Sequence, residues 1–149
     1  MIPGATRWGL PVPAGGWPAW VADVPYDGDL PPQAAAPIER GATCHRYAYA
    51  VLGLLDRPVP PLWSDELWAH DFAHVGLDDV EPADLVLFSA DGGAFGAHVA
   101  LAAGGGRLLH LCAEVGRPTL WTWADFAARE RYRTVVGLVR VPVLGERAR

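Results

Sequence analysis

Three consecutive glycines, at residues 104–106, separate two apolar runs that each have the character of a β-strand. The runs at 97–103 and 107–112 are short and apolar, and the glycines between them favour a turn, which is the pattern of a β-hairpin. Each run contains one histidine, His98 in the first and His110 in the second. The sequence therefore predicts one antiparallel ribbon that carries two imidazoles.

The centre of the turn decides whether these imidazoles meet, because successive side chains of a strand point to opposite faces. A three-residue loop centred on Gly104 would place His98 directly opposite His110, with Cβ atoms about 5 Å apart. A loop centred on Gly105 would make the two histidines diagonal neighbours on the same face. A two-residue loop would put them on opposite faces, so two of the three registers bring them together.

The neighbours of His98 on its own face are small. Ala100 and Ala102 share that face, whereas Val99 and Leu101 point the other way and are typical of a core. We expect the small residues to leave room for a helix to approach His98.

A helix is predicted to begin near Thr43, which is a suitable N-cap residue. Apolar side chains then recur at helical spacing, at Ala48, Val51, Leu52 and Leu55. The helix is predicted to end at residues 56–58, where Pro58 stops it. Cys44 thus lies in the first turn, where unpaired N–H groups and the helix dipole favour a thiolate and can hold an oxyanion. A small buried hydrophobe is the alternative interpretation of this cysteine.

The remaining pattern predicts an α+β fold, with N-terminal helices packed on a mostly antiparallel sheet. A second, short helix is expected to start at Ser64, and a third is expected within 121–131. Further strands are predicted at 85–88 and at 134–141, both rich in apolar residues.

We divide the 149 residues into two parts. Residues 1–39 are rich in Pro, Gly and Trp and show little periodicity, which predicts an irregular arm wrapped on the domain and anchored by Trp8, Trp17 and Trp20. A mobile leader is the alternative. Residues 40–149 are predicted to form one catalytic domain.

Charge and hydropathy exclude several functions. The net charge is −5 and every basic residue is an arginine, with no basic stripe, so we expect no nucleic-acid partner. No apolar run approaches the length of about 20 residues that crosses a bilayer, and the N-terminus lacks the pattern of a signal peptide. The sequence therefore predicts a cytoplasmic protein with no membrane partner, and it says nothing of partner proteins.

The chemistry-bearing residues suggest a nucleophile, a base and an orienting group. Cys44 would attack a carbonyl, His98 would accept its proton or hold an ion pair with its thiolate, and His110 would orient His98. Two structural histidines or two metal ligands are the alternatives. Since Cys44 and Cys112 are the only further ligands in view, we predict neither a metal nor another cofactor. Both cysteines are expected to be free thiols.

Several segments, in this order and spacing, resemble the NlpC/P60 family of papain-like cysteine peptidases over residues 40–141. Cys44 opens a helix as the family's nucleophile does, and Gly96-Ala97-His98-Val99-Ala100-Leu101 is similar to its Gly-His-Val-Gly-Ile segment. Residues 80–88 resemble its Pro-Gly-Asp-Leu-x-x-Phe segment, with Ala83 in place of the glycine. Pro58-Val59-Pro60 and Ser64 are similar to its Pro-Arg-x-Ser segment. His110 falls where the family usually has a second histidine.

This resemblance implies a bacterial hydrolase of cell-wall peptides, often cutting next to γ-linked D-glutamate, that needs no cofactor. It also implies that a tyrosine upstream of the nucleophile helps to form the substrate site, and Tyr26 is our candidate. His45 and Arg46, which follow the nucleophile, are assigned to substrate binding as contacts of an anionic group. A solvated helix face is the alternative for these two residues.

One departure from the family pattern concerns specificity. The family usually has Asp-Cys-Ser at the nucleophile, and its Asp and Ser help to hold a free amino terminus, whereas this chain has Thr43-Cys44-His45. We therefore predict a cysteine hydrolase that cleaves an amide in a peptide or a related small molecule. The alternatives are a cytosolic acyltransferase or amide synthase that uses the same acyl-enzyme, and a non-catalytic binding module.

Overall fold

The computed structural model describes residues 8–145. In chain order, the helices named here are α1 (Trp20–Asp23), α2 (Cys44–Leu54), α3 (Ser64–Ala69) and α4 (Trp123–Ala127). The strands of the described residues are β1 (Ala73–Val75), β2 (Leu85–Ser89), β3 (His98–Ala103), β4 (Arg107–His110), β5 (Thr119–Thr122) and β6 (Thr134–Arg140).

These strands form one sheet in the order β1-β6-β2-β3-β4-β5, and every adjacent pair is antiparallel. The longest helix, α2, precedes the sheet in the chain and packs against it. The predicted α+β class, with N-terminal helices on a mostly antiparallel sheet, is therefore confirmed.

The hairpin of β3 and β4 adopts the second of the registers considered. Leu101 pairs with Leu109 and Ala103 pairs with Arg107, which centres the loop on Gly105. Gly105 has a φ of +76°, a left-handed conformation that a glycine adopts without steric cost. His98 and His110 are consequently diagonal neighbours on one face rather than a directly opposed pair.

Both faces of the sheet are covered, and α2 covers the face opposite to His98. Val99 and Leu101 pack with α2 in one buried cluster. Ala100 and Ala102 lie in a second cluster on the other face. A helix approaches these small residues, as expected, and it is the short α4, which contributes Phe126 to the same cluster.

The described part of the predicted arm packs on the first of these clusters. Trp8 is 6% exposed, and Trp17 and Trp20 pack against the same core. The Tyr47 hydroxyl of α2 donates a hydrogen bond to the carbonyl of Val21, at 2.6 Å. The first seven residues of the arm lie outside the described residues.

The third predicted helix, within 121–131, begins two residues later than expected. Thr122 ends β5 and caps α4: its hydroxyl accepts from the Asp125 N–H, and the Asp125 carboxylate accepts from the Thr122 N–H. This reciprocal capping box fixes the helix start. The short strands β1 and β5 were not predicted.

Ala83 occupies a backbone position that suits glycine, which explains the glycine of the family segment. Its φ is +79°, and its side chain is fully buried before β2. An L-residue in this region carries a steric cost of about 1–2 kcal/mol. We expect Ala83→Gly to raise the free energy of unfolding by about 0.5–1 kcal/mol, since the relieved strain exceeds the added freedom of the unfolded chain. Urea denaturation followed by circular dichroism measures the change.

Ala50→Gly, within α2, is the matched control for this substitution. The same chemical change at a helical position is expected to lower the free energy of unfolding by about 1 kcal/mol. A loss of stability in both variants would contradict the strain assigned to residue 83.

Candidate active site

A cavity of about 580 Å³ opens where the N-terminus of α2 meets the start of β3. Cys44 and His98 both line it, and each is 8% exposed. Two residues that are 54 positions apart (98 − 44) in the chain therefore face one solvent-accessible space. Aromatic side chains supply much of the remaining wall, at Tyr26, Trp63, Phe95 and Tyr132.

The local sequence places Cys44 in the first turn of α2. The Thr43 hydroxyl accepts from the backbone N–H of Arg46, so Thr43 is the N-cap, as predicted. The backbone N–H groups of Val99, His45 and Cys44 itself lower the pKa of the thiol. The hydrogen-bond contact of the sulfur runs to His45 Nδ1, at 3.8 Å.

Burial has the larger effect on this thiol. It raises the pKa of Cys44 to about 11, which outweighs the N–H groups. The sequence indicated a thiolate on the strength of the helix terminus alone, whereas the folded chain holds a neutral thiol at neutral pH. The difference arises because desolvation disfavours the charged form, and desolvation depends on tertiary packing.

The end of β3 is accessible to α2 because β4 is shorter. β4 pairs with β3 only at Leu101, Ala102 and Ala103. Residues 98–100 pair with β2 on the other side of the strand but have no strand partner in β4. Cys44, at the N-terminus of α2, lines the same cavity as the first residue of this unpaired end, His98.

The two histidines meet directly. His98 Nε2 lies 2.9 Å from His110 Nδ1, and the two rings are perpendicular. One of these nitrogens donates and the other accepts, depending on the tautomers. If His98 donates from its Nε2, then Nδ1 of His98 has a free lone pair. His110 in that case accepts at its Nδ1 and carries its own proton on its Nε2.

His110 Nε2 is buried and has no hydrogen-bond partner among the described residues. The rings of Trp121 and Phe126 lie 4.3 and 4.6 Å from the His110 ring, centroid to centroid. An N–H that faces aromatic rings is a weak but favourable contact. Tyr132 adds a ring 4.6 Å from that of His98, so aromatic packing fixes both imidazoles.

This packing also keeps both histidines neutral. Burial, followed by the effect of His110, lowers the pKa of His98 well below its usual value of 6.5. Burial and then the Arg129 charge lower the pKa of His110 to about 3. An imidazole that is neutral at neutral pH is able to accept a proton.

The structure brings Tyr26 to the cavity. The residue is 37% exposed, forms a parallel bridge with Ala42 just before α2, and donates its backbone N–H to the Gly116 carbonyl. Burial and the neighbouring Cys44 raise the pKa of its hydroxyl. The path of the chain through this bridge explains how a tyrosine so far upstream reaches the cavity that Cys44 lines.

His45 and Arg46 have different fates. His45 lines the cavity, with its Nδ1 3.2 Å from the Thr43 hydroxyl and 3.8 Å from Cys44 Sγ, and burial lowers its pKa to about 4. Arg46 is not brought to the cavity. Its guanidinium donates to the carbonyls of Gly41 and Ala36, so it fastens the segment before α2 instead of facing a substrate or solvent.

Arg131 and three aromatic residues, Trp63, Phe95 and Tyr132, are among the cavity residues that were not predicted from the sequence to belong to the site. Phe95 is 87% exposed, and its loop is tied to α3 by a hydrogen bond from the Ser64 hydroxyl to the Ala94 carbonyl. An exposed Phe beside a cavity is a signal of binding, but exposure is not visible in a sequence.

No group of three or more His, Cys, Asp or Glu side chains converges on a potential metal site within residues 8–145. Over the same residues, no helix is both long enough and apolar enough to cross a membrane.

In this chain a helix that begins at Cys44 packs on an antiparallel sheet that carries the His98–His110 pair. No family model and no curated protein sequence matches the chain. Solved structures do match it. An NlpC/P60 family protein from Bacillus cereus is 20% identical, with a TM-score of 0.56 over 68% of this chain.

Two further structures support the same fold. NlpC1 from Trichomonas vaginalis is 17% identical over 82% of this chain, with a TM-score of 0.60. The NlpC/P60 domain of the peptidoglycan hydrolase SagA is 18% identical, with a TM-score of 0.58, and the match covers 81% of this chain and 90% of that domain. The match covers only 32% of the Bacillus cereus protein and 41% of NlpC1. The chain therefore has the NlpC/P60 fold.

Proposed function

We propose that this chain is a cysteine hydrolase of the NlpC/P60 type that cleaves an amide bond through an acyl-enzyme on Cys44. The observation that carries the proposal is the 2.9 Å hydrogen bond between His98 and His110, made by a His98 ring that shares a cavity with the Cys44 thiol. A nucleophile, a base and a group that orients the base are thereby available within one site.

The first half of the reaction transfers the acyl group. His98 takes the proton of the Cys44 thiol as the sulfur attacks the carbonyl carbon, and the carbonyl oxygen becomes an oxyanion. N–H groups in the first turn of α2, among them that of Cys44, are placed to stabilise this charge. Collapse of the tetrahedral intermediate breaks the C–N bond, and the imidazolium of His98 returns the proton to the leaving amine.

The second half restores the enzyme. His98 removes a proton from water as the water oxygen attacks the thioester carbonyl, and the carboxylic acid leaves as the sulfur regains its proton. Throughout, His110 accepts the Nε2–H of His98 and so holds the lone pair of the other nitrogen toward the thiol.

Because the Cys44 thiol and the His98 imidazole are both neutral before substrate binds, this mechanism uses general-base catalysis by His98. It does not start from a thiolate–imidazolium ion pair. The match to a peptidoglycan hydrolase domain supports a cell-wall-type peptide or a related small amide as the substrate. The cytoplasmic location stays a prediction.

Acylation by para-nitrophenyl acetate tests the proposal without a known substrate. We expect one acetyl group on Cys44 by intact-mass and peptide mass spectrometry, with release of one nitrophenolate per chain in the first turnover. Peptides with γ-linked D-glutamate then test the cell-wall class. Product masses measured with and without added amines separate hydrolysis from transfer to another acceptor.

His110 is expected to act as a positioning residue. The shorter side chain of His110→Asn can accept the hydrogen bond from His98 Nε2 if its amide oxygen reaches the place of His110 Nδ1. His110→Ala removes the acceptor altogether. We expect His110→Ala to lower kcat about 10- to 100-fold, with a smaller loss for His110→Asn. The acid limb of the pH–rate profile should also shift, since the group that faces the base has changed. If both variants lost folded protein and the pH–rate profile of the remaining activity did not shift, His110 would have a purely structural role.

The alkylation rate of Cys44 should depend on pH in a defined direction. Since burial raises its thiol pKa to about 11, the thiolate fraction, and with it the rate for iodoacetamide, is expected to rise about tenfold per pH unit from pH 7 to pH 9. Peptide mass spectrometry separates this reaction from that of Cys112. A plateau already reached at pH 7 would indicate a resting thiolate and would contradict the neutral pair.

A further inference from the structure

Arg131 is a cation of the cavity wall without a carboxylate partner among residues 8–145. Arg129 and Arg140, in contrast, are paired: Arg129 with Glu114 at 2.7 Å, and Arg140 with Asp84 at 2.8 Å. Arg131 is exposed, and its guanidinium lies 5.8 Å from the centroid of the Tyr132 ring. The folded chain thus leaves this charge available to a ligand.

The charge acts on the catalytic side of the cavity. The positive charge of Arg131 lowers the pKa of His98 and of Tyr26, in addition to the effects of burial. The guanidinium is therefore close enough to influence the proposed base and the tyrosine that shares its cavity. A ligand group bound to Arg131 would lie in the cavity that Cys44 and His98 also line.

Another wall of the cavity has the opposite sign. α3 contributes Asp65 and Glu66, and the Glu66 carboxylate is already occupied by the Trp63 N–H, at 2.8 Å. Asp65 makes no ion pair within the described residues. An acidic ligand group would be drawn toward Arg131 and away from α3.

We propose that Arg131 binds a carboxylate of the substrate, so that the site acts on amides that carry an acid close to the reacting carbonyl. The proposal names the substrate class of the hydrolase proposed above and rests on it for the identity of the reaction. A guanidinium fits a carboxylate with two parallel hydrogen bonds, which also orients it.

Maleimides with matched tails test this inference. One set of N-alkyl maleimides ends in a carboxylate and the other, of the same chain lengths, ends in a methyl group. For each length, the rate of Cys44 labelling by the acid is divided by the rate for the neutral reagent, and peptide mass spectrometry confirms the labelled cysteine. The series of lengths allows for the unknown reach from the sulfur to Arg131.

At the tail length that gives the largest effect, we expect the acid-to-neutral ratio of labelling rates to be about three- to tenfold higher in the unchanged protein than in Arg131→Gln. Arg131→Lys should retain part of the preference, since it keeps the charge but loses the planar fork. Raising the salt concentration should reduce the ratio. Arg107→Gln removes the same charge from an exposed residue outside the cavity, and it should leave the ratio unchanged.

Equal ratios in the unchanged chain and in Arg131→Gln at every length would overturn the inference. Labelling of Cys44 by neither reagent would overturn it too, because the cavity would then not admit a small acid to the thiol. The result is separable from the hydrolase proposal, since labelling needs no turnover. A preference that depends on Arg131, together with no acylation by para-nitrophenyl acetate, would leave an anion site without the proposed catalysis.

Discussion

Cys44→Ala is expected to lower the rate of nitrophenolate release and of peptide hydrolysis at least about 1,000-fold, and to remove the acetylated species altogether. The sulfur is the only atom of the site placed to form the thioester, and N–H donors alone leave a small residual rate. The substitution removes one buried atom at a helix start, so the fold should persist. Circular dichroism and a urea midpoint check that it does.

Cys112→Ala is the matched control for this loss. Cys112 is 1% exposed and belongs to the buried cluster on the other face of the sheet, and it does not line the cavity. We expect its acylation rate to stay within about twofold of that of the unchanged chain, even if removal of the sulfur costs some stability. If Cys44→Ala retained the activity of this control, the nucleophile would be elsewhere or the chain would be a non-catalytic binding module.

His98→Gln should lower kcat for the same ester about 100- to 10,000-fold, which is the range of general acid–base catalysis. Glutamine is able to hydrogen-bond His110 but is unable to take the thiol proton at neutral pH. The loss should shrink as the pH rises toward the thiol pKa of about 11, because hydroxide then supplies the thiolate. In the unchanged chain, activity should persist below pH 6.5, since the lowered pKa of His98 keeps the base unprotonated there.

His74→Gln is the control for replacing a histidine by a glutamine. The His74 ring stacks on Trp68, with 3.8 Å between centroids, and His74 does not line the cavity. This variant should retain nearly full activity and an unchanged pH profile. A His98→Gln enzyme as active as His74→Gln, with the same dependence on pH, would show that His98 is not the base.

Much of the site was predictable because its parts are local. The alternation of two short strands about residues 104–106 predicted a ribbon with two histidines, and helical periodicity with an N-cap predicted Cys44 in a first turn. The exact centre of the turn was not fixed, since three glycines permit more than one three-residue loop. Pairing of Leu101 with Leu109 decided it.

Which charged residues line the cavity was less accessible to prediction. Arg46 lies two residues after Cys44, and a side chain in the first turn of a helix can point toward the cavity or back along the preceding segment. Hydrogen bonds to the carbonyls of Gly41 and Ala36 hold it in the second orientation. Arg131 lies 87 positions after Cys44 in the chain (131 − 44), and no periodicity of the sequence connects the two residues. Such residues become neighbours only when the sheet has formed.

The sequence by itself determined the start of α2 at Cys44 and the β3–β4 ribbon with one histidine in each strand, because each depends on near neighbours in the chain. Tertiary structure decided which face of the sheet carries α2, which charged side chains reach the cavity, and the protonation of Cys44 and His98. These properties depend on burial and on contacts between distant segments, and desolvation here outweighs the local effect of a helix terminus.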